Sequence, residues 1–213
     1  MSLILSIDLS TKPGIAIFRD GKLVHASTCF NDKTVADFGS YPMNYVKFTH
    51  YTIERFIEYI QAQGFILNHF DHILLEETTA SKQNYSQKKL EFLHHELLLT
   101  LNNLSDKIVY IRSEVWKRIT NAKMSKEEKA NNSKIYRLKQ KTGKRVIRRD
   151  EEGNALRKVT RHDAYIRRCN DLLGTNFGRK EEDAAAACLL CLAYIEGSPI
   201  CDGTVKGGLI SKD

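Results

Sequence analysis

The 213-residue chain has only 3 prolines and 1 tryptophan, and its hydrophobic residues never gather into a long run. A membrane-spanning helix needs about 20 consecutive apolar residues, so a membrane protein is not expected. The opening MSLILSIDLSTK lacks the basic start, apolar stretch and small-residue cleavage site of a signal peptide. Cysteine is sparse and odd in number: Cys29, Cys169, Cys188, Cys191 and Cys201 are scattered. That argues against a disulfide framework and for a reducing, cytoplasmic compartment. Cys188 and Cys191 do form a CxxC, but inside the apolar helical stretch AAAACLLCLAYI with no second ligand pair. They read as core cysteines rather than a zinc site. Internal repeats and low-complexity tracts are also missing. One domain over residues 1–213 is expected, with an inserted basic arm at about 121–176.

What is present is a charge imbalance confined to one region. The formal net charge is +7. Residues 112–168 hold 19 Lys/Arg against 7 Asp/Glu, whereas the rest of the chain holds 14 against 19. A localised basic surface beside an acidic remainder suits a polyanionic partner. Within the arm, VIRRDEEGNALRKVT has the pattern of a hairpin with its turn near Glu152-Gly153-Asn154. Arg148, Arg149, Arg157 and Lys158 on it are candidate phosphate contacts. Tyr85, in the polar stretch SKQNYSQKK, is a candidate for stacking on a base, since basic and aromatic groups interleave there.

Leu3 to Ile7 and Ile15 to Phe18 read as short buried strands, joined by a turn that contains Pro13 and Gly14. GKLVHASTCF follows through Asp20-Gly21, a hairpin signal, giving three antiparallel strands. Residues 31–43 read as a loop. A helix is expected from Tyr45 to Gly64, a strand over DHILLEE, and a helix over KKLEFLHHELLLTLNNL. KIVYI is another strand, SEVWKRI a short helix, DAYIRRCNDLL a helix, and Glu181 to Ile195 the last long helix. The expected class is α/β, a mixed sheet with a leading antiparallel three-strand meander and later strands joined through flanking helices.

Three acids stand out by context. Asp8 closes the first strand, Glu76 closes DHILLE, and Asp183 opens the last apolar helix. Glu77, next to Glu76, faces the other side of the sheet by strand alternation. Gathering carboxylates in one place is costly unless cations neutralise them. Hard oxygen ligands suit Mg²⁺ or Mn²⁺, and two such ions would activate water against a phosphodiester. His94 and His95 lack acids at ligand spacing and read as ordinary helix residues, and Trp116 as a packing residue.

SIDLSTKPGIAIF, DHILLEETTASKQNYSQKKLEFLHHE, VYIRSEVWKRITNAKMSKEEK and EEDAAAACLL occur in this order. Together they resemble the motifs of RuvC-type Holliday-junction resolvases of the RNase H-like superfamily. The resemblance implies an RNase H-like sheet, a metal-dependent junction-cutting endonuclease, and a homodimer on branched DNA. It implies metal-ligand roles for Asp8, Glu76 and Asp183, and basic residues near the scissile phosphate at Lys117 and Lys129. The last motif departs from the family pattern of two acids three residues apart, because Lys180 and Ala186 stand at those positions. Glu182, about 100° around the helix from Asp183, is then the expected fourth carboxylate, ahead of Glu181. Two other readings stay open: an actin-like or sugar-kinase-like nucleotide-binding protein, suggested by DLSTK, and a DNA-binding module with a decayed site.

Overall fold

Strand β1 (Leu3–Asp8) pairs antiparallel with β2 (Gly14–Arg19), which pairs antiparallel with β3 (Lys22–Thr28). On its other side β1 runs parallel to β4 (His72–Glu77), and β4 runs parallel to β5 (Ile108–Arg112). The sheet order is therefore 3-2-1-4-5, the RNase H-like topology. This computed structural model describes residues 2–77, 85–133 and 158–197, together with the backbone of four short strands outside those ranges. Of these, β6 (Arg148–Arg149) and β7 (Ala155–Leu156) pair with each other. The strands β8 (Val205–Lys206) and β9 (Leu209–Ile210) extend the sheet beyond β5.

The meander forms as its sequence predicts. Asp20 and Gly21 both have positive φ, 50° and 76°, the backbone of a tight hairpin turn whose twist matches the strands it joins. Alternation then divides the core. Ile4, Ala16, Leu74, Val109 and Ile111 face one side, where α3 (Ser113–Ile119), α5 (Arg161–Leu173) and α6 (Glu182–Glu196) pack. Leu5, Ile7, Ile15, Ile73 and Leu75 face the other, under α1 (Met43–Ala62) and α2 (Tyr85–Thr100). Asp8 and Glu76 fall in the first register and Glu77 in the second. Burying these two apolar layers is the main source of stability, at about 25 cal/mol per Å² removed from water.

Helix α6 packs on the sheet through a run of small residues. Ala184 to Ala187 are all buried, and the helix packs on β2, β1 and β3 and against α5. At Gly14 the approach is closest: a Cβ there would stand 2.1 Å from both the carbonyl carbon and oxygen of Asp183. Cys188 and Cys191 are fully buried in this layer, where burial pushes the Cys191 thiol up, in keeping with core cysteines.

Two elements differ from the sequence-based expectation. Residues 126–133 are helical (α4), where the sequence shows only a polar, basic stretch. Their start is a reciprocal capping box, with Glu128 N–H donating to Ser125 Oγ (3.0 Å) and Ser125 N–H to Glu128 Oε2 (2.7 Å). The helix is polar, so apolar periodicity gave no sign of it. The presumed loop 31–43 holds a 3-10 turn at Val35–Phe38. Pairing of Arg148 with Leu156 and Arg149 with Ala155 fits the expected arm hairpin, while its turn lies outside the described residues. Among the described residues, no helix is long and apolar enough to cross a membrane.

Gly14→Ala should destabilise the fold by about 1–3 kcal/mol, because backbone rather than a movable side chain blocks the new methyl. Urea denaturation followed by circular dichroism measures it; a midpoint equal to the wild type would refute the close approach.

Candidate active site

Asp8 ends β1, Glu76 lies near the end of the neighbouring parallel strand, and Asp183 sits in the first turn of α6. Parallel pairing of Ile7 with Leu75 brings the two strand-end acids to the same edge, and the Gly14 contact brings α6 to it. Asp8 lies within the fields of the other two. Burial pushes the Asp8 carboxyl well above the ordinary carboxylate range, and the charges of Asp183 and then Glu76 push it the same way. Lys117 and Arg161 offset part of this. The Asp183 carboxyl is likewise raised by burial, while a hydrogen bond from Ser10 draws it down and the charge of Glu182 adds to the rise. That bond, Ser10 Oγ to Asp183 Oδ2, spans 3.1 Å, and Ser10 Oγ also accepts from the Lys12 N–H at 3.0 Å.

Glu76 is held by α3. Trp116 Nε1–H donates to Glu76 Oε2 at 2.9 Å, and Lys117 Nζ lies 4.0 Å from Glu76 Oε1. Lys117 in turn contacts Ser113 Oγ and sits over the rings of Trp116 (4.8 Å) and Tyr165 (5.5 Å). Trp116 packs as expected, being only 1% exposed, but its indole also carries this directed hydrogen bond. Glu77 points to the opposite face and pairs with Arg112 Nε at 3.0 Å, so the register read from alternation holds.

On α6, Glu182 Oε2 lies 3.6 Å from His162 Nδ1 of α5. Glu181 turns back and accepts from the Gly178 N–H at 2.9 Å, capping its own turn. Of the two neighbours of Asp183, Glu182 is therefore the one left facing other side chains of the group. His162, Arg161 and Ser10 do not stand out in the sequence. Arg161 and His162 follow Thr160, which caps α5 reciprocally with Asp163, and that capping signature is the one available pointer to where they sit.

Other expected residues lie elsewhere or outside the described side chains. Lys129 is exposed on α4 and Lys158 is exposed just before α5. Arg148 and Arg149 are described as strand backbone only, Tyr85 as the first helical residue of α2, and Arg157 lies outside the described residues. The stem of the arm is closed by Asn132, whose side chain donates to Val159 O (2.6 Å) and accepts from Val159 N–H (3.0 Å). Arg167 clasps Glu128 with two nitrogens, tying α5 to α4.

The acids are coupled without converging. Among the described residues, no three His, Cys, Asp or Glu side chains lie close enough to hold one ion. The chemistry of the donors nevertheless fits a hard divalent cation: all three are carboxylates, and the repulsion that Asp183 and Glu76 exert on Asp8 is what such an ion relieves.

Fold comparison with solved structures finds a similar fold in proteins of known structure. Thermus thermophilus RuvC in complex with a Holliday-junction substrate superposes with a TM-score of 0.53 at 10% identity, covering 93% of this chain and 96% of that one. A second Thermus thermophilus RuvC structure matches with a TM-score of 0.49 and 13% identity, over 92% and 96%. The yeast mitochondrial Holliday-junction resolvase Ydc2 matches with 0.46 and 12%, over 93% and 80%. No protein-family model matches the sequence, and no curated protein matches it. At such identities the likeness is one of fold.

The raised acids carry a stability consequence. A carboxyl whose folded pKa is raised contributes stability that is fully present below its unfolded pKa, about 3.9 for Asp, and is lost as pH rises through the folded value. Without divalent ions, Asp8→Asn should therefore melt above the wild type at neutral pH, with a gap that narrows toward pH 4. About 1 kcal/mol corresponds to about 2–4 °C in a chain of this size. Scanning calorimetry in EDTA across pH 4–8 measures the gap; a variant melting below the wild type throughout would contradict the repulsion.

Proposed function

We propose that this chain is a divalent-metal-dependent endodeoxyribonuclease that cuts branched DNA, four-way junctions foremost. The observation that carries the reading is the electrostatic coupling of Asp8, Glu76 and Asp183, delivered to one sheet edge by three separate elements and flanked by Lys117 and Arg161. An anionic group beside cations, in a chain that also carries a separate basic segment, is the layout that phosphodiester hydrolysis needs. Asp8, Glu76 and Asp183 would hold the metal, with Glu182 as the fourth carboxylate. Mg²⁺ or Mn²⁺, two per site, would supply Lewis-acid stabilisation and an activated water. Trp116 fixes the orientation of Glu76, and Ser10 that of Asp183. Lys117 and Arg161 take up charge on the phosphate. Arg148, Arg149, Arg157, Lys158 and Lys129 contact DNA backbone on an arm inserted in a single nuclease domain, and Tyr85 meets a base. Two symmetric cuts across a junction call for a homodimer.

Two alternatives fare differently. An actin-like or kinase-like protein needs two such domains, and the 3-2-1-4-5 sheet occurs once among the described residues. A DNA-binding module without cleavage is favoured by one observation, the lack of three converging ligands among the described residues, and is separated from the nuclease by the same assay.

Labelled four-way, flap and linear duplex DNA, incubated with Mg²⁺, Mn²⁺ or EDTA, should show metal-dependent cutting of the junction. Asp8→Asn and Glu76→Gln should each cost at least about a hundredfold in rate while junction binding persists. Glu77→Gln should stay close to the wild type, since it only breaks a partly exposed pair with Arg112. Binding without cutting in every metal would leave the module reading standing and the nuclease refuted. Neutralising Arg148, Arg149, Arg157 and Lys158 together should flatten the salt dependence of junction binding, by about 0.9 for each phosphate that is no longer neutralised. A gel-shift titration over salt reads this slope, and an unchanged slope would remove the arm from the interface.

A further inference from the structure

On the α1 side of the sheet, next to the turn that carries Ser10, lies a cleft of about 430 Å³. The β1–β2 turn contributes Lys12, the segment after β3 contributes Phe30, Asp32 and Lys33, and α2 contributes Lys89. None of the three lysines is in an ion pair among the described residues. Asp32, the one carboxylate in the lining, accepts the Tyr51 hydroxyl at 2.6 Å and lies within the fields of Lys33 and Arg55. The cleft is thus net positive, and it adjoins the acidic group through the short β1–β2 turn.

Phe30 is the unusual member. It is 72% exposed, more than any other large apolar side chain among the described residues, although Cys29 and Asn31 on either side are buried. Its backbone is held on both flanks. Cys29 N–H donates to Pro13 O at 2.8 Å, and the Asn31 side chain donates to Thr52 Oγ1 (2.8 Å) and Thr11 O (3.2 Å). Lys33 N–H donates to Asn31 Oδ1 at 3.1 Å. A ring held out in water by an anchored backbone, in one cleft with three lysines, combines the two parts of a single-strand site, a cationic track for phosphates and a flat face for a base. A small anion or an acidic peptide would use the lysines and leave the ring without a role.

We propose that this cleft binds a single-stranded nucleic-acid segment, with phosphates on Lys12, Lys33 and Lys89 and one base stacked on Phe30. The proposal rests on the nuclease reading to the extent that the segment is the strand running past the acidic group.

Fluorescence anisotropy with fluorescein-labelled oligo-dT tests it, using full-length wild type, Phe30→Ala and Lys89→Gln, with a blunt duplex as the second probe. Phe30→Ala should weaken oligo-dT binding by about fivefold to about a hundredfold, with an unchanged melting temperature and little loss on duplex. Lys89→Gln should lower the oligo-dT salt slope by about 0.7. Wild-type affinity for oligo-dT in Phe30→Ala, or an equal loss on duplex, would overturn the stacking site. Metal-dependent cutting of a four-way junction by the wild type is scored separately. If the wild type cuts and Phe30→Ala binds oligo-dT normally, the cleft assignment falls and the nuclease stands. If the wild type cuts nothing and Phe30→Ala still loses oligo-dT, the nuclease reading falls and the cleft stands.

Discussion

Position 14 has no side chain, and the first turn of α6 rests against β2 in the space that a methyl would fill. Everything at the acidic edge depends on that contact. It sets the height of α6 above the sheet, which the run Ala184 to Ala187 then maintains by offering no bulk to β1 and β2. At that height Asp183 reaches Ser10 and comes within the field of Asp8. A bulkier residue at position 14 would press on the Asp183 backbone, lift the helix and separate the acids without altering any carboxylate.

The acidic edge is held in a state that costs free energy. Burial and like charge both oppose ionisation of Asp8, and the nearby cations Lys117 and Arg161 compensate only in part. The remainder is supplied by packing around it. Trp116, nearly fully buried, fixes Glu76 through its indole N–H, and the Lys117 ammonium lies on the faces of Trp116 and Tyr165. Cation–π contacts of this kind contribute about 0.5–1 kcal/mol at exposed sites and more where water is excluded. A rigid aromatic base beneath a cation and a carboxylate keeps both aimed at the same place, which a flexible loop would not.

Elements governed by a period were legible in the sequence, and elements governed by capping or long-range contact were much less so. Alternation along HILLEE placed Glu76 and Glu77 on opposite faces, and the pairing of Glu77 with Arg112 bears this out; that Asp8 shares the face of Glu76 follows from the β1–β4 register. The Asp20-Gly21 turn was equally plain. Helix α4 was not, because SKEEKANN is polar on every side and only the Ser125 and Glu128 capping box marks its start. The burial of Trp116 was legible and its hydrogen bond to Glu76 was not, since a partner 40 residues away leaves no local trace. Arg161 and His162 come to the acidic group through the packing of α5 on α6, a relation that no spacing within the sequence encodes.

The central claim is that three carboxylates on β1, β4 and α6, two of them repelling Asp8, form the site of a divalent cation. Titrating the metal-free protein with Mn²⁺ and following free ion by electron paramagnetic resonance tests it without reference to any substrate. The account predicts saturable binding by the wild type, binding that is lost in Asp8→Asn and in Asp183→Asn, and binding that is retained in Glu77→Gln. Equal Mn²⁺ uptake by the wild type and Asp8→Asn, or no saturable uptake by the wild type, would contradict it.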